Sequence, residues 1–190
     1  MNMRNTIFKP MALLFAVVLT AFTTLDKKQV DTDQSVINWV GYKVTGQHEG
    51  TITLQQGSLE FNKGQLTGGN FVMDMTSINT TDIQGDYKKK LDGHLKADDF
   101  FGVEKHKKAT LVFKSVTKNE TNYSVVGDLT IKGITNKVSF ELAVSENTAT
   151  TTFQIDRTKF GIKYGSASFF DGLKDKAIYN EFDLKVSLKF

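Results

Sequence analysis

The residues able to do chemistry are few and scattered. His48, His94 and His106 are the only imidazoles. Asp92-Gly93-His94 and Glu104-Lys105-His106 put carboxylates beside two of them. No two histidines stand at the spacing of a zinc site, which wants three or four ligands close together, so no metal is expected. Asp98-Asp99 is a carboxylate pair of the kind acid–base catalysis uses. Neighbours in sequence rarely point the same way, and a turn or capping role accounts for them. Asp31-Thr32-Asp33-Gln34-Ser35 imitates the start of a calcium loop. Val36 stands where that loop needs Gly and Tyr42 where it needs Glu, which excludes it. G-x-S-x-G, G-x-G-x-x-G and a phosphate loop ending in Lys are absent. Cysteine is absent too, so thiol chemistry and disulfides are excluded. No catalytic residue and no cofactor is read from these residues.

Arg157 is the most informative charge. It follows Phe153-Gln154-Ile155, and the alternation Phe153, Ile155, Arg157 points it inward at the end of a strand. A buried Arg requires an anionic partner. That partner is Asp156, Asp171 or Asp175, or else the anionic head of a ligand. His94 reads as a polar contact within a helical cap. His48 reads as the organiser of a Gly46–Gly50 turn or as a residue at a cavity rim. His48, His94 and Arg157 are therefore the candidates for the polar end of a binding site.

The elements that must position them are strands. The stretch 123–144 reads YSVVGDLTIKGITNKVSFELAV. Val125, Gly127, Leu129 and Ile131 share one face, and Val138, Phe140, Leu142 and Val144 share another, with polar residues between. That is an antiparallel hairpin with one apolar side. A one-residue slip would bury Asp128 and Glu141, so the register is well specified. A lone hairpin is marginal in water, and the rest of the chain must complete a sheet.

Similar alternation recurs along the chain. A strand is read around VINWVGYKV, with Gly41 hinting at a bulge. Short strands at 51–54 and 58–61 flank Gly57, and a longer one runs from Leu66 to Ile78. At 82–102 the pattern changes. Tyr87, Leu91 and Leu95 are four apart, with Asp86 as a plausible N-cap and Gly93 as a breaker, giving a helix of one or two turns within a lid or plug. Strands follow at Ala109–Lys114 and Thr150–Ile155. Ile178–Phe190 is the cleanest of all. An apolar last strand needs a partner, and closing the sheet supplies one. The pattern predicts an all-β fold: an eight-stranded antiparallel up-and-down barrel, with a short helical segment around 84–96. A two-sheet sandwich is the alternative. Eight strands leave an interior that is either filled by side chains or open to one small ligand.

Residues 1–23 read as an export signal. Arg4 and Lys9 precede an apolar run, Met11–Phe22, too short to span a bilayer, and Ala21-Phe22-Thr23 is a passable cleavage site. An uncleaved N-terminal anchor is the other reading. Without this segment, 22 basic residues face 21 acidic ones, a net charge of +1. That is too near neutral for nucleic acid as the main partner. The mature chain, 24–190, is expected as a single domain in the periplasm or outside a bacterial cell, with no membrane span after cleavage.

Several motifs together resemble the YceI-like family. Gly127-Asp128-Leu129-Thr130-Ile131-Lys132-Gly133-Ile134-Thr135 resembles its hairpin. Val30-Asp31 to Trp39 resembles its opening strand, and Gly46-x-His48-x-Gly50 its first turn. Gly93-His94-Leu95-Lys96-x-x-Asp99-Phe100-Phe101 and Glu104-Lys105-His106 resemble its central segment. Ile155-Asp156-Arg157-Thr158-Lys159-Phe160-Gly161-Ile162 resembles its later strand and turn. Lys107-Lys108 departs from the family's usual Pro, which leaves only that turn's shape open. The resemblance covers Val30 to Phe190. It implies a lipocalin-like extended barrel with an elongated apolar cavity, and non-catalytic binding of an isoprenoid-type lipid such as an isoprenoid quinone or a polyprenyl phosphate.

On that reading the wall is formed by the inward residues Trp39, Phe71, Met73, Phe113, Leu129, Ile131, Phe140, Leu142, Phe153, Phe182 and Leu184. Plain core packing is the competing account of each. Two other functions stand beside it: an enzyme acting on an apolar substrate, resting on His94 with Asp98 or Asp99, and a filled-barrel exported interaction protein.

Overall fold

The computed structural model describes residues 25–190. The segment read as an export signal lies outside the described residues. Nine strands form one antiparallel sheet: β1 (Leu25–Gln29), β2 (Asp31–Lys43), β3 (Gly46–Asn62), β4 (Gln65–Thr80), β5 (Lys108–Lys118), β6 (Tyr123–Ile131), β7 (Ile134–Val144), β8 (Thr148–Asp156) and β9 (Ile178–Lys189). From β3 onward neighbours in sequence pair in the sheet, and β2 pairs with both β3 and β9. The sheet therefore closes into an eight-stranded barrel rather than a sandwich. β1 extends the line of β2 along β3, and Val30 between them donates its amide to the Gly57 carbonyl at 2.9 Å.

The hairpin β6–β7 forms because its alternation is unbroken. Every odd residue of β6 is buried and every even one half-buried. The turn is Lys132-Gly133, both at positive φ (53° and 76°), the mirror-image turn whose twist suits a hairpin. Asn136 is already opposite Leu129 within the ladder, so the link is tighter than the Gly133–Lys137 stretch of the sequence suggests.

Three expectations change. Gly46–Gly50 is not a turn: it opens β3, and the reversal falls at Val44-Thr45. Gly50 pairs with Trp39, and a Cβ there would stand 2.5 Å from Trp39 Cζ2 and against the Asn79 carbonyl. The glycine admits the indole; it does not bend the chain. The two short strands around Gly57 are one 17-residue strand whose alternation is shifted by irregularities at 51–53 and 54–56. The helix α1 (Gly85–Lys96) runs three turns, straight through Gly93. Gln84, not Asp86, is the N-cap, and Tyr87 is 78% exposed. The face α1 buries is Leu95, with Leu91 half-buried beside it.

The interior holds two buried clusters. One includes Leu59, Phe61, Leu66, Tyr123, Val125, Leu142 and Leu188 and fills one end. The other, with Met75, Ile78, Leu95, Phe100, Ile155, Phe160 and Ile162, packs beneath α1 and the loops at the opposite end. Ile52, Met73, Leu111, Val138, Phe153 and Leu184 touch both clusters yet remain only partly buried.

Two lines of the barrel are irregular. Between β7 and β8 only Ala143 with Thr150 and Val144 with Ala149 are paired. Between β2 and β9 the ladder passes from Gly41–Phe182 to Lys43–Ile178, so Tyr179–Glu181 bulge opposite the single residue Tyr42.

Candidate ligand cavity

An apolar cavity of about 160 Å³ lies between the two clusters. All eleven wall residues expected from the alternation line it: Trp39, Phe71, Met73, Phe113, Leu129, Ile131, Phe140, Leu142, Phe153, Phe182 and Leu184. They come from seven of the eight barrel strands. Inward-facing side chains of a solid barrel would be buried throughout, whereas Met73, Phe113, Phe153, Phe182 and Leu184 keep surface exposed inside. The rings form a chain of aromatic contacts along the wall: Phe71 with Phe113 at 5.4 Å, Phe113 with Phe140 at 5.8 Å, and Phe140 with Phe153 at 4.6 Å. Trp39 is held by its indole N–H, which donates to the Thr51 carbonyl at 3.2 Å.

Sequence reasoning missed part of the wall. Ile52 and Leu54 of β3 lie there, hidden by the shifted alternation. Leu95, Phe100 and Phe101 reach in from α1 and the segment after it. The apolar pair Phe100-Phe101 following a helical stretch was the signal for these two.

The three polar candidates gather at the α1 end but do not form one site. His48 Nδ1 lies 2.8 Å from Asp82 Oδ2, and the Glu49 amide donates to Asp82 Oδ1 at 3.2 Å. This pair ties β3 to the approach of α1, outside the cavity lining. Burial pushes the Asp82 carboxyl up, but the hydrogen bonds from His48 and the Glu49 amide and the His48 charge together hold it below its ordinary value. His94 is wedged between Phe100 (5.5 Å) and Tyr164 (4.4 Å), with its Nε2 buried and unpartnered among the described residues. It too is outside the lining.

Arg157 is 2% exposed and does line the cavity. Its partners are not the expected carboxylates. Nε donates to the Tyr179 carbonyl (3.0 Å), Nη1 to Ile162 (2.8 Å) and Nη2 to Ile178 (3.1 Å). Two of these carbonyls belong to residues flanking or inside the β9 bulge. The β2–β9 ladder is interrupted at this point, and the guanidinium fork takes up carbonyls at the interruption. Its face lies 5.5 Å from the Phe100 ring centroid, a cation–π contact. Burial pulls the guanidinium below its ordinary value, while Asp156 and Glu181 act against this from a distance. Asp156 itself caps the following 3₁₀ turn, accepting from the Thr158 amide at 2.9 Å.

At the bulge the cavity reaches the surface. Tyr42, Tyr179 and Glu181 line it there, although Tyr179 is 53% exposed. Among the described residues no group of three or more His, Asp or Glu stands close enough to hold a metal ion. No helix among them is long and apolar enough to cross a membrane.

The closed barrel, its helical cap and this apolar interior define a lipocalin-like architecture. The YceI-like domain family matches residues 29–190, and the chain belongs to that family. A UPF0312 protein of Staphylococcus aureus (strain bovine RF122 / ET3-1) is 44% identical over 87 residues, covering 40% of this chain and 48% of the relative. The chain thus spans about half the length of the curated relatives it matches. Among solved structures, Burkholderia cenocepacia BcnA aligns with a TM-score of 0.67 at 22% identity, covering 84% of this chain and 98% of that one. A polyisoprenoid binding domain from Saccharophagus degradans implicated in plant cell wall breakdown aligns with a TM-score of 0.60 at 16% identity, covering 87% and 99%. At those identities both similarities establish the fold.

Proposed function

We propose that this protein binds an isoprenoid-type lipid, such as an isoprenoid quinone or a polyprenyl phosphate, inside the barrel, without catalysis. The observation that carries the reading is the apolar cavity between two buried clusters, walled by aromatic and aliphatic side chains from all eight barrel strands. Burying an apolar chain there gains about 0.8 kcal/mol per CH₂. The space is of the order that holds one small ring. A longer chain is accommodated as the partly buried Met73, Phe113 and Phe153 side chains swing aside. The polar head stays at the mouth, with Arg157 beside it and His94 and His48 at the same end. A structural relative described as a polyisoprenoid binding domain supports the ligand class. The amino-terminal segment, with Arg4 and Lys9 before an apolar run, supports an exported, periplasmic or secreted protein.

The experiment is native mass spectrometry of residues 24–190, isolated without detergent from the periplasm of a bacterial host. A bound mass in the isoprenoid range, released on denaturation, is the expected result. An empty protein that also fails to take up added quinone or polyprenyl phosphate overturns the reading.

A further inference from the structure

The loop joining β8 to β9 carries exposed aromatic surface that its own packing does not use. Phe169 and Phe170 are 46% and 50% exposed, and Tyr164 is 47% exposed. They are held, not loose. Ser166 is fully buried, and its hydroxyl donates to Asn180 Oδ1 at 2.6 Å. The amides of Phe169 and Phe170 both donate to the Ser166 carbonyl, at 3.1 and 3.0 Å. A fixed turn therefore presents two phenyl rings outward, where apolar surface meets water at a cost.

The same loop is rich in exposed lysines. Residues 159–176 contain Lys159, Lys163, Lys174 and Lys176, all exposed, against Asp171 and Asp175. Lys163 Nζ lies 4.6 Å from the Phe169 ring centroid. On the cavity side the loop adjoins the mouth. The Gly165 carbonyl accepts from the Ile178 amide at 2.8 Å, one residue from Tyr179. The Ala177 carbonyl accepts from the amide of Val44, itself 52% exposed in the β2–β3 turn.

We propose that this loop docks the barrel on a bilayer bearing anionic head groups. Phe169 and Phe170 enter the interface, the lysines face the head groups, and the mouth at Tyr179 turns toward the membrane. The proposal rests on the lipid-binding reading and names where the lipid is collected. Charge selects the occupant. A second copy would oppose the same lysines, whereas an anionic lipid surface complements them and accepts the rings. The chain after residue 23 is nearly neutral, so the excess of lysine in this loop is a local feature.

The test is co-sedimentation of residues 24–190, which hold every described strand of the closed barrel, with vesicles of phosphatidylcholine alone and with added phosphatidylglycerol. Binding is expected only with phosphatidylglycerol, weakening as salt is raised. Phe169→Ser with Phe170→Ser should lower the partition coefficient about tenfold or more. Lys163→Glu or Lys174→Glu should each lower it about fivefold or more. The exposed sites leave the melting temperature unchanged, which checks the fold. Absence of binding to phosphatidylglycerol vesicles, equal binding to both vesicle types, or a serine variant that binds as the parent does would each overturn the proposal.

A second readout separates this from the lipid-binding reading. The serine variant should fill with quinone normally from aqueous dispersion, yet draw it from phosphatidylglycerol vesicles about tenfold more slowly, in keeping with its lost partitioning. Equal transfer rates from vesicles would overturn the docking role. A parent chain that never takes up lipid while still binding the vesicles would overturn the cavity reading alone.

Discussion

The rings of Phe140 and Phe153 stack at 4.6 Å with 20° between their planes, across two strands that have lost their backbone ladder. Continuing the register of Ala143–Thr150 and Val144–Ala149 places these residues opposite one another. Side-chain stacking, with the Thr151 hydroxyl donating to the Glu141 carbonyl at 2.6 Å beside it, closes the wall where the backbone ladder does not.

Phe140→Ala should therefore act on the ligand as well as on the fold. The ring faces open space on one side, so its removal should cost about 2 kcal/mol, less than the about 3–5 kcal/mol of a phenylalanine in a solid core. Lipid retained through purification should fall. Urea unfolding and the mass of bound lipid measure the two effects. A core-sized loss of stability with unchanged lipid content would remove Phe140 from the site.

Arg157 should be hard to replace. Arg157→Leu removes the donor to the buried Ile162 carbonyl and to the part-buried carbonyls of Ile178 and Tyr179, at a cost of about 3 kcal/mol. Arg157→Lys should recover only part of it, since an ammonium lacks the planar fork that reaches three acceptors. Amide exchange should quicken at Ile178–Glu181 in both. Unchanged exchange there would show that the guanidinium does not hold the bulge.

Trp39 is the only tryptophan and stands in the cavity wall. Titration with an isoprenoid quinone should quench its fluorescence and saturate at one equivalent. Trp39→Phe should lose the signal while native mass spectrometry still finds the ligand. Quenching that rises linearly without saturation would indicate collision in solution instead.

Acid should loosen the cap before the barrel. Asp92 accepts from the Thr80 amide at 2.8 Å and from Lys88 at 2.5 Å, joining α1 to β4. Burial pushes its carboxyl up, but Lys88 and Thr80 together hold it below the ordinary value of 3.8, as His48 helps to do for Asp82. A carboxyl depressed in the folded state contributes stability above its unfolded value and loses it as pH falls through the folded one. Stability should be level above pH 5, as is usual for carboxylate linkage, and decline below about 3.8. Asp92→Asn should flatten that decline. An unchanged acid profile in the variant would exclude Asp92 as a contributor.

What was legible in the chain depended on how local its cause was. β6 could be read because each residue's burial follows from its parity alone, and β9 because apolar and polar residue types alternate along it. The wall residues Leu129, Ile131, Phe182 and Leu184 came from that parity. β3 was misread because irregularities shift its alternation, so Ile52 and Leu54 lost their signature. The helix outlasted Gly93 because tertiary packing of Leu91 and Leu95 outweighs one glycine, which costs about 1 kcal/mol. Arg157 was placed inward correctly. Its partners were not foreseeable, since the carbonyls of Ile178 and Tyr179 lie at the place where the β2–β9 ladder is interrupted, which no local pattern marks. The β7–β8 gap likewise leaves no mark on either strand's pattern.

The pairing of β2 with β9 also sets a timetable for biogenesis. The strand that opens the barrel waits for the one that closes it, more than a hundred residues later, and loop closure over such a span is slow. While the chain is synthesised or threaded across a membrane, its apolar inner face stays unsealed until Lys189 has emerged. A premature stop that removes β9 leaves an open sheet with two bare edges, a substrate for proteases and chaperones rather than a smaller barrel.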